Sequence, residues 1–421
     1  MAEGKLDLVT PPPPAGNRGD TVTELLGQIA DTGRDAARGG YSRPVLSGSE
    51  RDLLAWFVEQ AQRRGLDVDV DRNGIAWAWW NPSGADLRGS VVTGSHLDSV
   101  PGGGAFDGPL GVASALVAVD HLRARGITPS RALGVAVFPE EEGSRFGVAC
   151  LGSRLLTGEL APKRALALTD PDGTTLAEAW GRAGMDPAHL GRDDEALARI
   201  GTFVELHVEQ GRGLIDLDAP VAVASSVLGH GRWRLSFTGE GNHAGATLMA
   251  DRRDPVVAAA AAVLAARQSA LAHADARATV GRIVPVPGGT NVIASRVDAW
   301  LDVRHPDDAV TAAVVAEISE RAAEAARAEG CELVVTQESF SATAHFDGVL
   351  RDRLTRVLSG APVLATGAGH DAAVLAGHVP SAMLFVRNPT GVSHSPAEAV
   401  EDDDAEQGAA ALATALEHLL T

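Results

Sequence analysis

The sequence predicts an α/β protein in which a mixed, mostly parallel sheet forms the main domain and a ferredoxin-like α+β domain is inserted into it. Three observations carry this expectation. The chain has 421 residues, well above the size at which a single hydrophobic core is usual, so two domains are expected. Short apolar runs alternate with a helix-length segment through glycine-rich loops between residues 90 and 138, the pattern of parallel strands covered on both faces. Later the rhythm changes to β-α-β-β-α-β over roughly 110 residues, which describes a small two-layer unit. The resulting division is a Pro-rich flexible arm at 1–20, a body at 21–212 and 339–421, and an insert at 213–338.

The elements follow in order. Pro11 to Pro14 cannot donate backbone hydrogen bonds and read as an extended arm. Residues 47–64 make a helix, with Ser49 as its N-cap and Leu53, Leu54, Phe57, Val58 and Ala61 on one face. LDVDVDRNGIAWAWW alternates like two strands around an Asn73-Gly74 turn. SVVTGSHL, the loop DSVPGGGAFDGP, the helix LGVASALVAVDHLRARG and the strand RALGVAVF then form the first parallel unit. TFVELHVEQG adds another strand. The insert comprises WRLSFTG, a helix Pro255 to Ala272, ATVGRIVPV, VDAWLDVRH, a helix Asp308 to Glu329, and CELVVTQ. A helix near 347–358, the turn TGAGHD, a helix, the strand SAMLFV and a last helix from about Asp404 complete the body. Chemistry is expected at the C-terminal ends of the parallel strands.

Composition narrows the function. Hydrophobic residues are 45 % and charged residues 22 %, which excludes disordered, collagen-like and membrane-dominated chains. Lys and Arg number 36 against 55 Asp and Glu, a net charge of −19 that repels nucleic acid and anionic lipid. Cys150 and Cys331 are too few for a disulfide framework and read as reduced thiols. No apolar signal core opens the chain, and the longest apolar run, Val256 to Ala266, is about half a bilayer span. A soluble cytoplasmic protein without nucleic-acid or membrane partners is expected.

The histidines and acids at strand ends suggest a metal. His96 and Asp98 stand two apart at the end of a strand, a spacing that lets the carboxylate fix the imidazole tautomer. Asp107 follows a flexible loop containing Gly102, Gly103 and Gly104. The strand RALGVAVF runs into Glu140, Glu141 and Glu142, whose mutual repulsion a cation would relieve. His207 lies among apolar neighbours of another strand, and His394 sits in a Ser/Pro loop after SAMLFV. Singly, each has an ordinary reading as a strand-end polar group, an acidic turn or a core histidine. Together, His96, Asp107, Glu142, His207 and His394 mix N and O ligands suited to Zn, Mn, Co or Ni, and their number suits two divalent ions sharing a carboxylate.

GSHLDSVPGGGAFDGPLGV, EEEGSRFG, ELHVEQG, GNHAG, GGTNVI, LDVR, GAGHDA and GVSHSP, in this order, resemble the amidase/carbamoylase branch of the M20 metallopeptidase-like family from about Tyr41 to the C-terminus. The resemblance implies that His96 and His207 hold one metal and Glu142 and His394 the other, with Asp107 bridging them. It also implies that Asp98 orients His96 and that Glu141 is the general base. The insert is implied to be a lid and homodimerisation module whose His243, Asn291 and Arg304 meet the substrate as oxyanion donor, amide and carboxylate fork, with Gln210 completing the pocket. His370 is placed near the site. Arg387, one loop from His394, is expected either to read a second polar arm of the substrate or to form a surface ion pair.

The implied activity is hydrolysis of a linear amide or ureido C–N bond in a small carboxylate-bearing compound, with allantoate first and N-carbamoyl-L-amino acids second. A dipeptidase or aminoacylase using the same metals is the nearest alternative. A metal-stabilised binding protein without turnover is the other, but it would have no use for Glu141 beside Glu142.

Overall fold

The structure, a computed structural model, describes residues 19–421, so nearly all of the arm expected at 1–20 lies outside the described residues. The chain divides into two compact units, one running to Ser225 and resuming at His345, the other Ser226–Ala344. In chain order the strands are β1 (Asp67–Val70), β2 (Ala76–Trp80), β3 (Ser90–His96), β4 (Leu133–Phe138), β5 (Ile200–Val208), β6 (Val221–Val227), β7 (Gly229–Thr238), β8 (Asn242–His243), β9 (Arg277–Val286), β10 (Val292–Ile293), β11 (Arg296–His305), β12 (Glu332–Ser341), β13 (Ala344–His345), β14 (Val363–Thr366) and β15 (Ser381–Val386).

The large sheet has the order β1-β2-β4-β3-β5-β15-β6-β13, with β14 also on β6. Its centre, β4-β3-β5-β15, is parallel throughout, and the pairs β1-β2, β2-β4 and β15-β6 that flank it are antiparallel. Parallel strands need crossovers, and the helix Pro109–Ala124 supplies the one from β3 to β4. Strands β3, β4 and β15 are buried at every position, which is why they read as unbroken apolar runs. The helix Pro109–Ala124 packs with Leu412 and Leu416 of the last helix, Asp402–Leu420, in the main core. Each buried leucine there contributes about 1.5–3 kcal/mol of transfer free energy. The first long helix is Gly48–Arg63, and its N-cap is Ser47 rather than Ser49: the Ser47 hydroxyl accepts the Glu50 N–H, while the Ser49 hydroxyl is hydrogen-bonded to that of Ser47.

The second unit has the antiparallel order β12-β7-β11-β9. The helices Pro255–Ala272 and Asp308–Ala328 join its core through Ala258, Ala262 and Ala266, and Val314, Ile318 and Ala322, beside Leu235, Phe237, Val297 and Val303. It begins later than residue 213 because Val221–Val223 of β6 pair with β15 in the large sheet. It ends later than 338 because β12 stays paired with β7 through Ser341, opposite His230. Helix Pro255–Ala272 extends the apolar run to 18 residues, enough by length and composition alone to cross a bilayer. Here it covers a sheet with closely spaced alanines. Cys150 and Cys331 are both free and buried.

Candidate functional site

Because β4, β3, β5 and β15 are parallel neighbours, their C-terminal ends share one edge of the sheet. His96 is the last residue of β3, His207 lies near the end of β5, Glu141 and Glu142 follow β4, and His394 follows β15. Asp107 enters from the loop before the helix Pro109–Ala124. Gly108 is obligatory beside it: its φ is +86°, and a Cβ there would lie 2.6 Å from the His96 ring.

The carboxylate of Asp107 faces two donor sets. Its Oδ1 is 3.4 Å from Nε2 of His96 and 3.3 Å from Nε2 of His207. Its Oδ2 is 3.6 Å from Nε2 of His394, which lies 3.3 Å from Oε2 of Glu142. The two sets, His96-Asp107-His207 and Asp107-Glu142-His394, each gather ligand atoms within 4.8 Å of one another. The chemistry of the donors fits cations. Nδ1 of His96 is 3.1 Å from the Asp98 carbonyl oxygen and Nδ1 of His207 is 3.0 Å from that of Val208. A carbonyl only accepts, so each ring carries a proton on Nδ1 and turns its Nε2, the atom left to bind a cation, toward the Asp107 carboxylate, the two Nε2 atoms 3.4 Å apart. Such a cluster repels itself unless a positive charge enters it.

The acid–base balance agrees. Burial works to lower the His96 pKa, yet the carboxylates of Glu141, Asp107 and Asp98 outweigh it and hold the ring well above its ordinary value. Burial, then Asp107, pushes Glu142 up to about 8. Burial also drives Glu141 well above the carboxylate range, with Asp371, Glu142 and Asp98 adding to it against the pull of His96. Each shift says that the site draws in positive charge, as protons or as metal.

Around these candidate ligands lies a set of buried carboxylates that hold backbone in place. Nδ1 of His96 lies 3.1 Å from the Asp98 carbonyl oxygen and 3.5 Å from Oδ1 of its carboxylate, and that carboxylate also accepts the N–H groups of Glu141 and Glu142, each at 3.1 Å. Glu140, given no role from sequence, sits at φ +54° and accepts the N–H groups of Arg145 and Phe146 at 2.9 and 2.6 Å. Glu205 takes the Ser95 hydroxyl at 2.9 Å and the Ala372 N–H at 3.0 Å. Glu398 takes the N–H groups of Phe106 and Asp107, both at 3.0 Å. The Cys150 thiol donates to Oε1 of Glu141 at 3.5 Å. Apart from the His96 ring and the partners of Glu140, none of these groups is near its carboxylate in sequence, so only those two stretches carried a readable signal.

The residues expected to meet substrate are distributed unevenly. Gln210 donates to Oδ2 of Asp107 at 2.9 Å and to the Ser393 hydroxyl at 2.8 Å, tying Asp107 to the His394 loop. His370 is 2 % exposed and stands behind His207, ring centroids 4.5 Å apart, with neither ring nitrogen hydrogen-bonded among the described residues. Burial, with His207 beside it, keeps it neutral. In the second unit, His243 pairs with Val292 across β8 and β10, and the Ala244 N–H donates to the Asn291 carbonyl at 3.0 Å, so His243 and Asn291 share one ribbon. Arg304 lies on β11 with Nε and Nη2 on the two carboxylate oxygens of Asp302, 2.8 and 3.2 Å.

Of the two readings open for Arg387, the structure shows the ion pair. Its guanidinium makes two bonds to Asp404, at 2.8 and 3.0 Å, and a third to Asp218 at 3.1 Å. The fork is filled by protein carboxylates, as an ion pair requires, and is not turned to a second substrate arm. Arg387→Ala is expected to lower stability by roughly 1–3 kcal/mol, because Asp404 is left buried without its partner. It should leave the ratio of kcat/KM for allantoate and an N-carbamoyl amino acid unchanged. Denaturant melts and paired kinetics check the two halves of that outcome.

The model of peptidase family M20/M25/M40 matches residues 92–418. The N-carbamoyl-L-amino acid amidohydrolase of Geobacillus stearothermophilus is 35 % identical over 402 residues, covering 94 % of this chain and 97 % of that protein. The allantoate amidohydrolase of Escherichia coli (strain K12) is 30 % identical over 411 residues, with 94 % and 97 % covered. Among solved structures, an amidase of the hydantoinase/carbamoylase family from Burkholderia multivorans superposes with a TM-score of 0.86 at 32 % identity, covering 95 % of this chain and 97 % of that one.

Proposed function

The chain belongs to peptidase family M20/M25/M40, and from that premise we propose that it is a two-metal amidohydrolase acting on N-carbamoyl-L-amino acids. The observation that carries the reading is the Asp107 carboxylate, whose two oxygens face separate donor sets. In this reading His96 and His207 hold one divalent ion, Glu142 and His394 the other, and Asp107 both. A pair of such ions supplies Lewis acidity toward the scissile carbonyl and toward water.

The chain's own residues do the rest. Glu141 lies with Oε2 3.7 Å from Nε2 of His96, so its carboxylate stands beside the ligand cluster without being needed to complete either set. It takes the proton of the attacking water as the new C–O bond forms. It returns that proton to the leaving nitrogen as the C–N bond breaks. For a carbamoyl substrate the products are the amino acid, ammonia and carbon dioxide. The second unit is assigned to substrate capture and to pairing with a second copy of the chain. Within it His243 donates to the developing oxyanion, Asn291 binds polar backbone, and Arg304 binds the carboxylate, exchanging Asp302 for the substrate.

The choice of substrate rests on two points. Arg387, which could have read a second polar arm such as allantoate carries, is held by Asp404 and Asp218. The Geobacillus stearothermophilus relative, at 35 % identity over nearly the whole chain, is named for N-carbamoyl-L-amino acids. The test is ammonia and amino-acid release by the metal-loaded protein from an N-carbamoyl-L-amino acid, allantoate and a dipeptide. The highest kcat/KM is expected for the carbamoyl compound. A preference for allantoate would move the assignment to that substrate, and turnover of the dipeptide alone would make the chain a peptidase.

A further inference from the structure

Glu398 lies four residues after His394 and is 5 % exposed. Its Oε1 accepts the backbone N–H groups of both Phe106 and Asp107 at 3.0 Å, across nearly three hundred residues of sequence. Its own N–H donates to the Ser395 carbonyl at 3.1 Å, so it is anchored in the His394 loop. The segment leading to Asp107 lies against this side chain. A Cβ built on Gly104 would fall 2.1 Å from Oε1, 2.4 Å from Cδ and 2.7 Å from Cβ of Glu398. Gly104 is not in the left-handed region, so it is this contact, and not backbone conformation, that excludes a side chain there.

We infer that Glu398 is a positioning residue that fixes the backbone of Asp107 against the His394 loop, and so sets the geometry at which the two sets of ligands share one carboxylate. Asp107 has few other restraints on its main chain, because it lies between a glycine-rich loop and Gly108. Held at its N–H, it aims its two oxygens at separate donor sets; released, it has no reason to keep that aim. Supporting groups of this kind change metal affinity by about 10–100-fold when removed. Both bonds end on one oxygen, and Oε2 has no hydrogen-bond partner among the described residues. A carboxamide in the same place can therefore offer its oxygen to the same two N–H groups.

The inference rests on the two-ion reading above, and the experiment separates them. Binding of Co²⁺ is measured by equilibrium dialysis on the whole chain, with the melting of each metal-free protein as a check on folding. The wild-type chain is expected to take up two ions. Glu398→Ala should weaken the binding of at least one by about tenfold or more. Glu398→Gln should bind within about threefold of wild type. Gly104→Ala, which leaves Glu398 in the chain but pushes its carboxylate away, should reproduce the Ala loss. The double variant Gly104→Ala/Glu398→Ala should be no worse than Glu398→Ala alone, since residues acting through one contact are not additive. If Glu398→Ala fails to fold, Gly104→Ala and Glu398→Gln decide the matter between them. Wild-type uptake of two ions with unchanged affinity in Gly104→Ala, or a loss in Glu398→Gln as large as that in Glu398→Ala, would overturn the role of Glu398 alone. A wild-type chain that binds no Co²⁺ would remove the two-ion reading, and this inference with it.

Discussion

Glu141→Gln is expected to leave the chain folded and metal-loaded while lowering kcat by at least about a hundredfold, some 2.7 kcal/mol in the barrier. The substitution keeps the shape of the side chain and its backbone bond to Asp98. What it removes is the capacity to accept a proton from water and carry it to nitrogen. Because Glu141 belongs to neither set of ligand atoms, the metal content should not change. KM should change little, since the carboxylate acts in the chemical step. Elemental analysis and steady-state kinetics on the same preparation check both points. Turnover near the wild-type value would remove Glu141 from the chemistry.

Asp107→Ala should be as damaging by a different route. Its carboxylate stands within 3.6 Å of His96, His207 and His394. Losing it removes the one anion common to both sets. Both ions should therefore be lost on dialysis, where His394→Ala should release one and leave the other. The metal-free chain should not be strongly destabilised by either change, because Asp107 is a buried carboxylate in an acid-rich cluster and His394 is exposed. Metal per chain in the two variants, read against wild type, distinguishes a shared carboxylate from an ordinary ligand.

Much of this was legible in the sequence, and what was not has a physical reason. Strands β3, β4 and β15 are buried on both faces, so their apolar runs announce them. That the candidate ligands gather at their ends follows from the rule that parallel strands collect their C-termini on one edge. The start of the second unit was misplaced because VAVASSV looks like any strand. Its assignment to the large sheet depends on β15, some 160 residues away. Ser47 and Ser49 are equally able caps on paper, and only the Glu50 N–H separates them. The backbone partners of Asp98 and the partners of Glu398 and Arg387 come from distant segments and leave no local pattern. The spacing of His96 and Asp98 brings the carboxylate to within 3.5 Å of the ring, but nothing in it announces that the same oxygens hold the backbone of the glutamates on the neighbouring strand end.

The central claim is that two divalent ions at one shared carboxylate make this chain an amidohydrolase of a carbamoyl or ureido bond. Its most direct measurement is ammonia release from an N-carbamoyl-L-amino acid as Mn²⁺ is added back to chelator-treated protein, with bound metal counted on the same samples. The account predicts no turnover without metal and a rise that levels off at two ions per chain. Full activity in the metal-free protein, or a plateau at one ion with the second binding silently, would contradict it.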